Sequence, residues 1–128
     1  MLDTQTCLMW QRDMARDTSV DAGTPPLTGL NWQDAQDYCS KALNTPPCLA
    51  GYCDWRLPTK AELLSIVDTT KNPAAINLNA FPGTPADWCW SSSTHEGDPG
   101  EMWVVSFKYG YGDGGDDVSH YNYVRCVR

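Results

Sequence analysis

The residues best suited to bind an ion or a polar ligand are three aspartates in the glycine-rich stretch YGDGGDD: Asp113, Asp116 and Asp117. Three more carboxylates precede them, namely Glu96, Asp98 and Glu101. Carboxylates on flexible loops are the ligands that a hard cation such as calcium prefers. The stretch lacks EF-hand spacing, and glycine with aspartate is also the ordinary composition of a turn. The three aspartates are therefore predicted calcium ligands, with a solvated turn as the alternative and no other cofactor expected.

Catalysis is not expected, because no candidate nucleophile is paired with a base in a recognisable motif. The serines at 91–93 lack the Gly-x-Ser-x-Gly context, and nothing in the sequence joins them to His95 or His120. Fully paired cysteines would leave no reactive thiol. The sequence therefore favours a protein that is not an enzyme.

The six cysteines are an even and high number for 128 residues, which favours disulfide bonds and an oxidising compartment. The alternative is a cytosolic protein with six free thiols. A zinc site is less favoured, because structural zinc needs short ligand spacings and no Cys-x-x-Cys pair occurs. The sequence after Met1-Leu2-Asp3 does not show the pattern expected of a signal peptide. We therefore interpret the chain as a mature domain or fragment whose export signal lay upstream, with a secreted, periplasmic or cell-surface location.

Length and charge limit the classes of partner. A single domain over residues 1–128 is expected, since a chain of this length buries one core. The net charge of −7 argues against nucleic acid as a partner, and no window approaches the ~20 apolar residues of a membrane span. A sulfated polymer would bind only if the basic residues gathered in one patch: Arg12, Arg16, Lys41, Lys60 and Lys71.

Aromatic residues crowd into the C-terminal third of the chain. Their faces stack on sugar rings, and tyrosine supplies contact area at low entropic cost. Trp90, Trp103 and Tyr123 are predicted to belong to the core, whereas Tyr109 and Tyr111 are predicted to be exposed, as is His120. The predicted ligand-binding residues are Trp88, Tyr109, Tyr111, Asp113, Asp116, Asp117 and His120.

The elements that must position these residues follow an α+β pattern, with helices segregated from a sheet. Asn31, with Asp34 three residues later, predicts the start of a first helix; Thr59 and Glu62 predict a capping box at the start of a second. Long loops are predicted over 12–27 and 72–88. Strands are predicted over 7–10, 89–94, 102–110 and 118–128, with a turn at 111–117.

Six sequence blocks carry a resemblance to a known family: TCLMWQRD, WQDAQDYC, DWRLPTKAELLSIVD, FPGTPADWCWSSS, WVVSF and YVRCVR. In this order they resemble the Lcl C-terminal domain family, which ends the Legionella collagen-like adhesin and many bacterial surface proteins. The match runs from about Asp3 to Arg128. The chain departs from the family pattern at Cys7, in place of a glycine, and at Cys89, which displaces an aromatic residue.

The resemblance implies a C-type-lectin-like fold: two helices packed on small antiparallel sheets, with long loops and disulfide staples. The Trp-Arg-Leu-Pro segment at 55–58 would lie in the core and position the second helix. A bridge from Cys39 to Cys126 is implied, which leaves Cys48 to pair with Cys53. The two cysteines that depart from the pattern would then form a third bridge, Cys7 to Cys89.

The resemblance also implies a function. We expect a non-enzymatic adhesion or ligand-recognition domain of an exported bacterial surface protein, binding a glycan, a host polymer or a surface protein through its C-terminal loops. The alternative is a structural or oligomerising cap, for example a homotrimer, or a protein-interaction module of a surface fibre or pilus.

Overall fold

A computed structural model describes residues 2–12, 29–71 and 74–128. In these segments the chain forms two α-helices and a three-stranded antiparallel sheet, which confirms the predicted α+β class. The helices are α1 (Trp32–Asp37) and α2 (Lys60–Ser65), and the strands are β1 (Trp88–Thr94), β2 (Glu101–Ser106) and β3 (Tyr111–Asp117), in the spatial order β1-β2-β3. No helix of the described segments is long and apolar enough to cross a membrane. Arg16 and most of the loop predicted over 12–27 lie outside the described residues.

Both helix starts form as predicted, because each is decided by side chains within one turn. The Asn31 side chain accepts a hydrogen bond from the Asp34 N–H at 2.8 Å. Thr59 and Glu62 each accept a hydrogen bond from the other's backbone N–H, which completes the capping box. α1 continues as a π-helical turn over Tyr38–Ala42, and a 3-10 turn follows at Leu49–Gly51.

The sheet carries a hydrophobic cluster on each face, because successive side chains of a strand point to opposite sides. On one face Cys89 and Val105 pack with Leu63 of α2. On the other, Trp90 and Val104 pack with Ala35 of α1. Each helix therefore covers a different face of the sheet.

The two ends of the chain lie side by side. Met9 and Arg128 exchange backbone hydrogen bonds of 2.9 Å, and Val127 exchanges two more with Arg56. These contacts are isolated bridges, so the regular strands predicted over 7–10 and 118–128 are wrong. The reason is that the closing segment, residues 118–128, changes partner every few residues, and no pairing extends into a ladder.

The Trp-Arg-Leu-Pro segment is structural, as the resemblance implied. Trp55 and Leu57 are buried, and the Trp55 indole N–H donates to the Leu49 carbonyl at 3.0 Å. Arg56 forms a forked pair of 2.7 Å hydrogen bonds to the Glu62 carboxylate. The segment therefore fixes the start of α2 from one side while its tryptophan fills the core.

The glycine-rich stretch at 111–117 forms strand β3, so the turn predicted there is wrong. The chain turns earlier, over residues 107–110, where the Ser106 hydroxyl accepts from the backbone N–H groups of Lys108 and Tyr109. Gly110 supplies the positive φ, +79°, that the turn requires. A Cβ there would also lie 2.8 Å from a methyl carbon of Thr69.

Two disulfides form, Cys39–Cys126 and Cys48–Cys53, as the resemblance implied. The third bridge is a wrong prediction, because Cys7 and Cys89 are both unbonded. Cys89 points into the cluster beneath the sheet and is 1% exposed, whereas Cys7 lies in an exposed turn. The two sulfur atoms therefore lie in different environments, and the chain has two disulfide bonds rather than three.

A buried arginine that was not predicted from the sequence, Arg125, connects the C-terminal segment to the N-terminal segment and to the loop at Thr84. The Arg125 guanidinium donates to the carbonyls of Gln11 and Arg12 and to the Thr84 hydroxyl. It is fully buried and lies 4.9 Å from the centre of the Phe81 ring. These hydrogen bonds satisfy polar atoms that would otherwise be buried at a cost of about 1–3 kcal/mol each.

Candidate functional site

A cavity of about 240 Å³ opens on the face of the sheet that packs on α1. Trp88 and Val104 supply its apolar lining, and Asp113 and Asp116 of β3 supply its polar lining, with Gly115 between them. The apolar part derives from β1 and β2, and the carboxylates derive from the edge strand. An apolar wall that faces a few fixed polar groups is the usual arrangement of a small-ligand site.

An irregularity in β3 brings the two carboxylates to the same face. Val104 pairs with Asp113 and Met102 pairs with Asp116, so three residue steps of β3 lie opposite two of β2. This is a β-bulge, and Gly115 adopts the positive φ of +104° within it. In a regular strand, residues three apart would point to opposite faces. The bulge is therefore what places both aspartates in the cavity.

The two carboxylates differ in how they are held. Asp116 accepts from the His120 ring at 2.7 Å and from the Asn122 amide at 2.5 Å. The hydrogen bond to Asp116 raises the pKa of His120. Among the residues that the structure describes, no hydrogen bond or ion pair engages the exposed Asp113 carboxylate. Asp116 is therefore a fixed acceptor, whereas Asp113 is available to a ligand.

Aromatic rings extend the cavity toward solvent. The half-buried Trp88 meets Tyr111 edge to face, with ring centres 6.0 Å apart. Tyr109 stacks on Tyr111 at 5.8 Å, and both tyrosines are more than half exposed, at 57% and 51%. Their exposure, and that of His120, agrees with the prediction. Together the three rings form a continuous apolar surface that ends at the cavity.

Most of the predicted ligand-binding residues are thus neighbours. Trp88, Asp113 and Asp116 line the cavity, and Tyr111, Tyr109 and His120 adjoin it through contacts with these residues or with one another. Asp117 accepts instead from the N–H and hydroxyl of Ser119, at 2.8 and 2.7 Å. The backbone hydrogen bond from Ser119 lowers the pKa of Asp117. Val104, Gly115 and Asn122 complete the arrangement and were not predicted, because the register of β3 that selects them has no local sequence signal.

The amino-acid sequence matches the Lcl C-terminal domain family over residues 1–128, the whole chain. The chain belongs to this family. The family is associated with surface adhesins and is not a known enzyme family. Among curated proteins, none matches the chain.

Metal binding by this Lcl C-terminal domain stays a prediction. Within residues 2–12, 29–71 and 74–128, no three His, Cys, Asp or Glu side chains are placed to hold a metal ion together. Asp116 and Asp117 are both engaged in hydrogen bonds to neighbouring residues. The calcium predicted from Asp113, Asp116 and Asp117 therefore has no converging ligand set among the described residues.

The candidate nucleophiles of the domain have structural tasks. The Ser91 hydroxyl donates to the Trp103 carbonyl at 2.6 Å, and the Ser93 hydroxyl accepts from the Lys60 N–H at 2.9 Å. Burial raises the pKa of the Cys89 thiol to about 12, so its nucleophilic thiolate form is rare at neutral pH. None of these groups has the activation that covalent catalysis requires.

The opposite face of the β2–β3 hairpin is covered by side chains of the domain, the ring of Trp103 and the side chain of Lys60. Trp103, predicted to belong to the core, is only half buried. The Lys60 ammonium lies 3.5 Å above its ring, and the ring edge packs at Gly114, where a Cβ would lie only 2.8 Å from it. The missing side chain at Gly114 lets the indole lie across the sheet instead of beneath it. By contrast, Trp90 is fully buried, and Tyr123 packs against one core cluster.

Proposed function

We propose that this domain is a non-catalytic recognition module of an exported surface protein, and that the cavity beside Trp88 binds one unit of a glycan. The observation that carries the proposal is the convergence of Trp88 with the carboxylates of Asp113 and Asp116. An indole face stacks on the apolar face of a sugar ring, and carboxylate oxygens accept hydrogen bonds from its hydroxyl groups.

The size of the cavity favours a single sugar residue of a longer chain. Its volume of about 240 Å³ lies below the range of roughly 300–1,000 Å³ that is typical of pockets for drug-sized ligands. The exposed rings of Tyr109 and Tyr111 offer further contact area beside it. A polymer could therefore place one unit in the cavity and its neighbours along the tyrosines.

A C-type-lectin-like arrangement of the scaffold is part of this proposal. It is supported by the pairing of the N-terminal and C-terminal segments, and by the bridge from Cys39 beside α1 to Cys126 in the closing segment. The two disulfides also support an oxidising, extracytoplasmic location, as does the association of the family with surface adhesins.

The proposal is tested by binding of the oxidised domain to a glycan array, with Tyr111→Ala as the test variant. We expect affinity for the bound glycans to fall about tenfold, the ~1.4 kcal/mol that one aromatic contact supplies. The matched control is Tyr121→Ala, since Tyr121 is 64% exposed and, unlike Tyr111, does not pack against the Trp88 ring that lines the cavity. The control should retain the affinity of the unmodified domain.

The structural alternative gives a different result. A domain that binds no glycan on the array, and that sediments as a stable trimer in analytical ultracentrifugation, would replace glycan recognition by an oligomerising role. Equal losses of glycan affinity in Tyr111→Ala and Tyr121→Ala would instead show that the glycan does not bind at this cavity.

A further inference from the structure

We propose, on the basis of the function above, that the glycan unit in this cavity carries a protonated amino group, as a deacetylated hexosamine does. The cavity selects this class over neutral, sulfated and carboxylated sugars. The inference depends on three observations: the carboxylate of Asp113, which no ion pair of the described residues compensates, an aromatic wall beside it, and the charge of the whole chain.

The negative charge of the cavity is not neutralised by a lysine or arginine. Among the described residues, no ion pair engages Asp113, and Asp116 is held by a histidine ring and an amide. The lysine and arginine ion pairs of the described residues lie elsewhere: Lys41–Asp37, Arg56–Glu62 and Arg128–Asp54. A ligand cation beside Asp113 would therefore supply the missing counter-charge, with a charge-assisted hydrogen bond to the carboxylate.

The aromatic wall favours the same type of ligand. The face of an aromatic ring attracts a cation, and tryptophan does so most strongly. The domain uses this interaction within itself, where the Lys60 ammonium lies 3.5 Å over Trp103 and the Arg128 guanidinium lies 3.8 Å over Tyr52. Trp88 lines the cavity with the two carboxylates, so one ammonium group can contact the ring and a carboxylate together.

The charge of the chain acts at longer range. A net charge of −7 repels sulfated and carboxylated polymers and raises the local concentration of cationic ones. Two of the lysines that a basic patch would need are already engaged, Lys41 with Asp37 and Lys60 with Trp103. The electrostatic potential around the domain therefore favours cationic ligands, as the cavity does.

The test compares a short glucosamine oligomer with its fully N-acetylated counterpart of the same length, and with heparin as a sulfated polymer. Isothermal titration calorimetry uses the oxidised full chain, at a pH where the glucosamine amines are protonated. We expect the glucosamine oligomer to bind about tenfold more tightly than the N-acetylated one, to weaken at high salt, and not to be displaced by heparin.

The variant Asp113→Asn tests whether the amine preference arises at this cavity. It removes one negative charge from an exposed position and keeps a side chain of nearly the same shape. It should bring the two oligomers to nearly equal affinity. The matched control is Asp34→Asn, which removes the same charge from an exposed side chain of α1 and should leave the preference unchanged. A preference that survives Asp113→Asn would overturn the assignment to this cavity.

The outcomes separate the two proposals. Equal or tighter binding of the N-acetylated oligomer, or displacement by heparin, overturns the amine preference. If that binding still falls in Tyr111→Ala, glycan recognition at the cavity stands. Absence of binding by both oligomers overturns the amine preference, and a glycan array without any bound sugar then removes the proposed function as well.

Discussion

Arg125, Cys126 and Val127 are all buried, whereas no residue of β3 is, although the two segments lie close together in the chain. The closing segment hydrogen-bonds to four separate parts of the chain: the N-terminal segment at Met9 and Gln11, Leu30 before α1, Arg56, and Trp88 of β1. β3 pairs with β2 alone among the named strands and carries glycines and aspartates that bury little surface. One segment is fixed by many long-range contacts, and the other by a single neighbour.

This difference separates stability from recognition within one small domain. Large buried side chains and the long disulfide hold the closing segment, so changes there should affect folding. Asp113 and Asp116 of β3 line the cavity but belong to neither core cluster, so changes there should affect binding. Binding residues commonly lie on exposed segments that a rigid scaffold positions, whereas the scaffold residues determine stability.

The largest effect is expected on removal of the Cys39–Cys126 bridge, which joins positions 87 residues apart. Alanine at both positions should lower the free energy of unfolding by about 4–5 kcal/mol, because the unfolded chain regains its freedom. Alanine at Cys48 and Cys53, 5 residues apart, should cost only about 2 kcal/mol. Urea denaturation of the oxidised proteins measures both, and equal losses would contradict this interpretation.

The next effect is expected for Arg125→Met. The variant leaves the carbonyl of Gln11 and the hydroxyl of Thr84 buried without their donor, which should cost about 3 kcal/mol in urea denaturation. The control Arg128→Met should have a much smaller effect, since Asp54, the ion-pair partner of Arg128, is 61% exposed and keeps its contact with water when the pair is lost. A change as small as that of the control would show that Arg125 does not fasten the chain ends.

A smaller effect is expected for Glu62→Gln, about 1 kcal/mol, because Glu62 both caps α2 and pairs with the partly solvent-exposed Arg56. The hydrogen bonds from Arg56 lower the pKa of Glu62. Its contribution is therefore present at neutral pH and is lost as the pH falls below the ordinary glutamate pKa of about 4.3 and through the lowered folded value. The difference from the unmodified protein should vanish in acid; a difference that persists there would exclude the ion pair as its cause.

The smallest effect on stability is expected from alkylation of Cys7, which is exposed and should change the free energy of unfolding by less than about 0.5 kcal/mol. Iodoacetamide should label Cys7 in the native protein. Cys89, whose pKa burial raises to about 12, should react only after denaturation. Mass spectrometry of the labelled peptides checks both, and a linked Cys7–Cys89 peptide would restore the third disulfide.

The parts of the fold that the sequence predicted are those decided locally or by family resemblance. Asn31 and Thr59 cap helices through hydrogen bonds that reach only three residues along the chain. The pairing of Cys39 with Cys126 came from the family, not from spacing. The prediction of a third disulfide was wrong because the bond depends on which face of the sheet Cys89 occupies. That face is determined only when the strands pair.

The candidate site was predictable in its residue types but not in its arrangement. Tryptophan, tyrosine and aspartate indicated recognition, yet the composition of 111–117 resembles a turn as closely as a strand. The turn is placed instead by Ser106 and Gly110, and the register of β3 follows from it. That Asp113 and Asp116 share a face depends on this register and on the bulge at Gly115, and the composition of the stretch does not say where along the strand the bulge falls.

The bulge at Gly115 has a consequence for how this domain can diverge. Replacing Gly115 by a residue that disfavours a positive φ would favour a strand without the bulge, in which strict alternation sends one of the two carboxylates to the side of Trp103. The packed layers below would not need to change. Relatives with another residue at this position would therefore present a cavity with a different charge, so a single substitution can change which partner the domain binds.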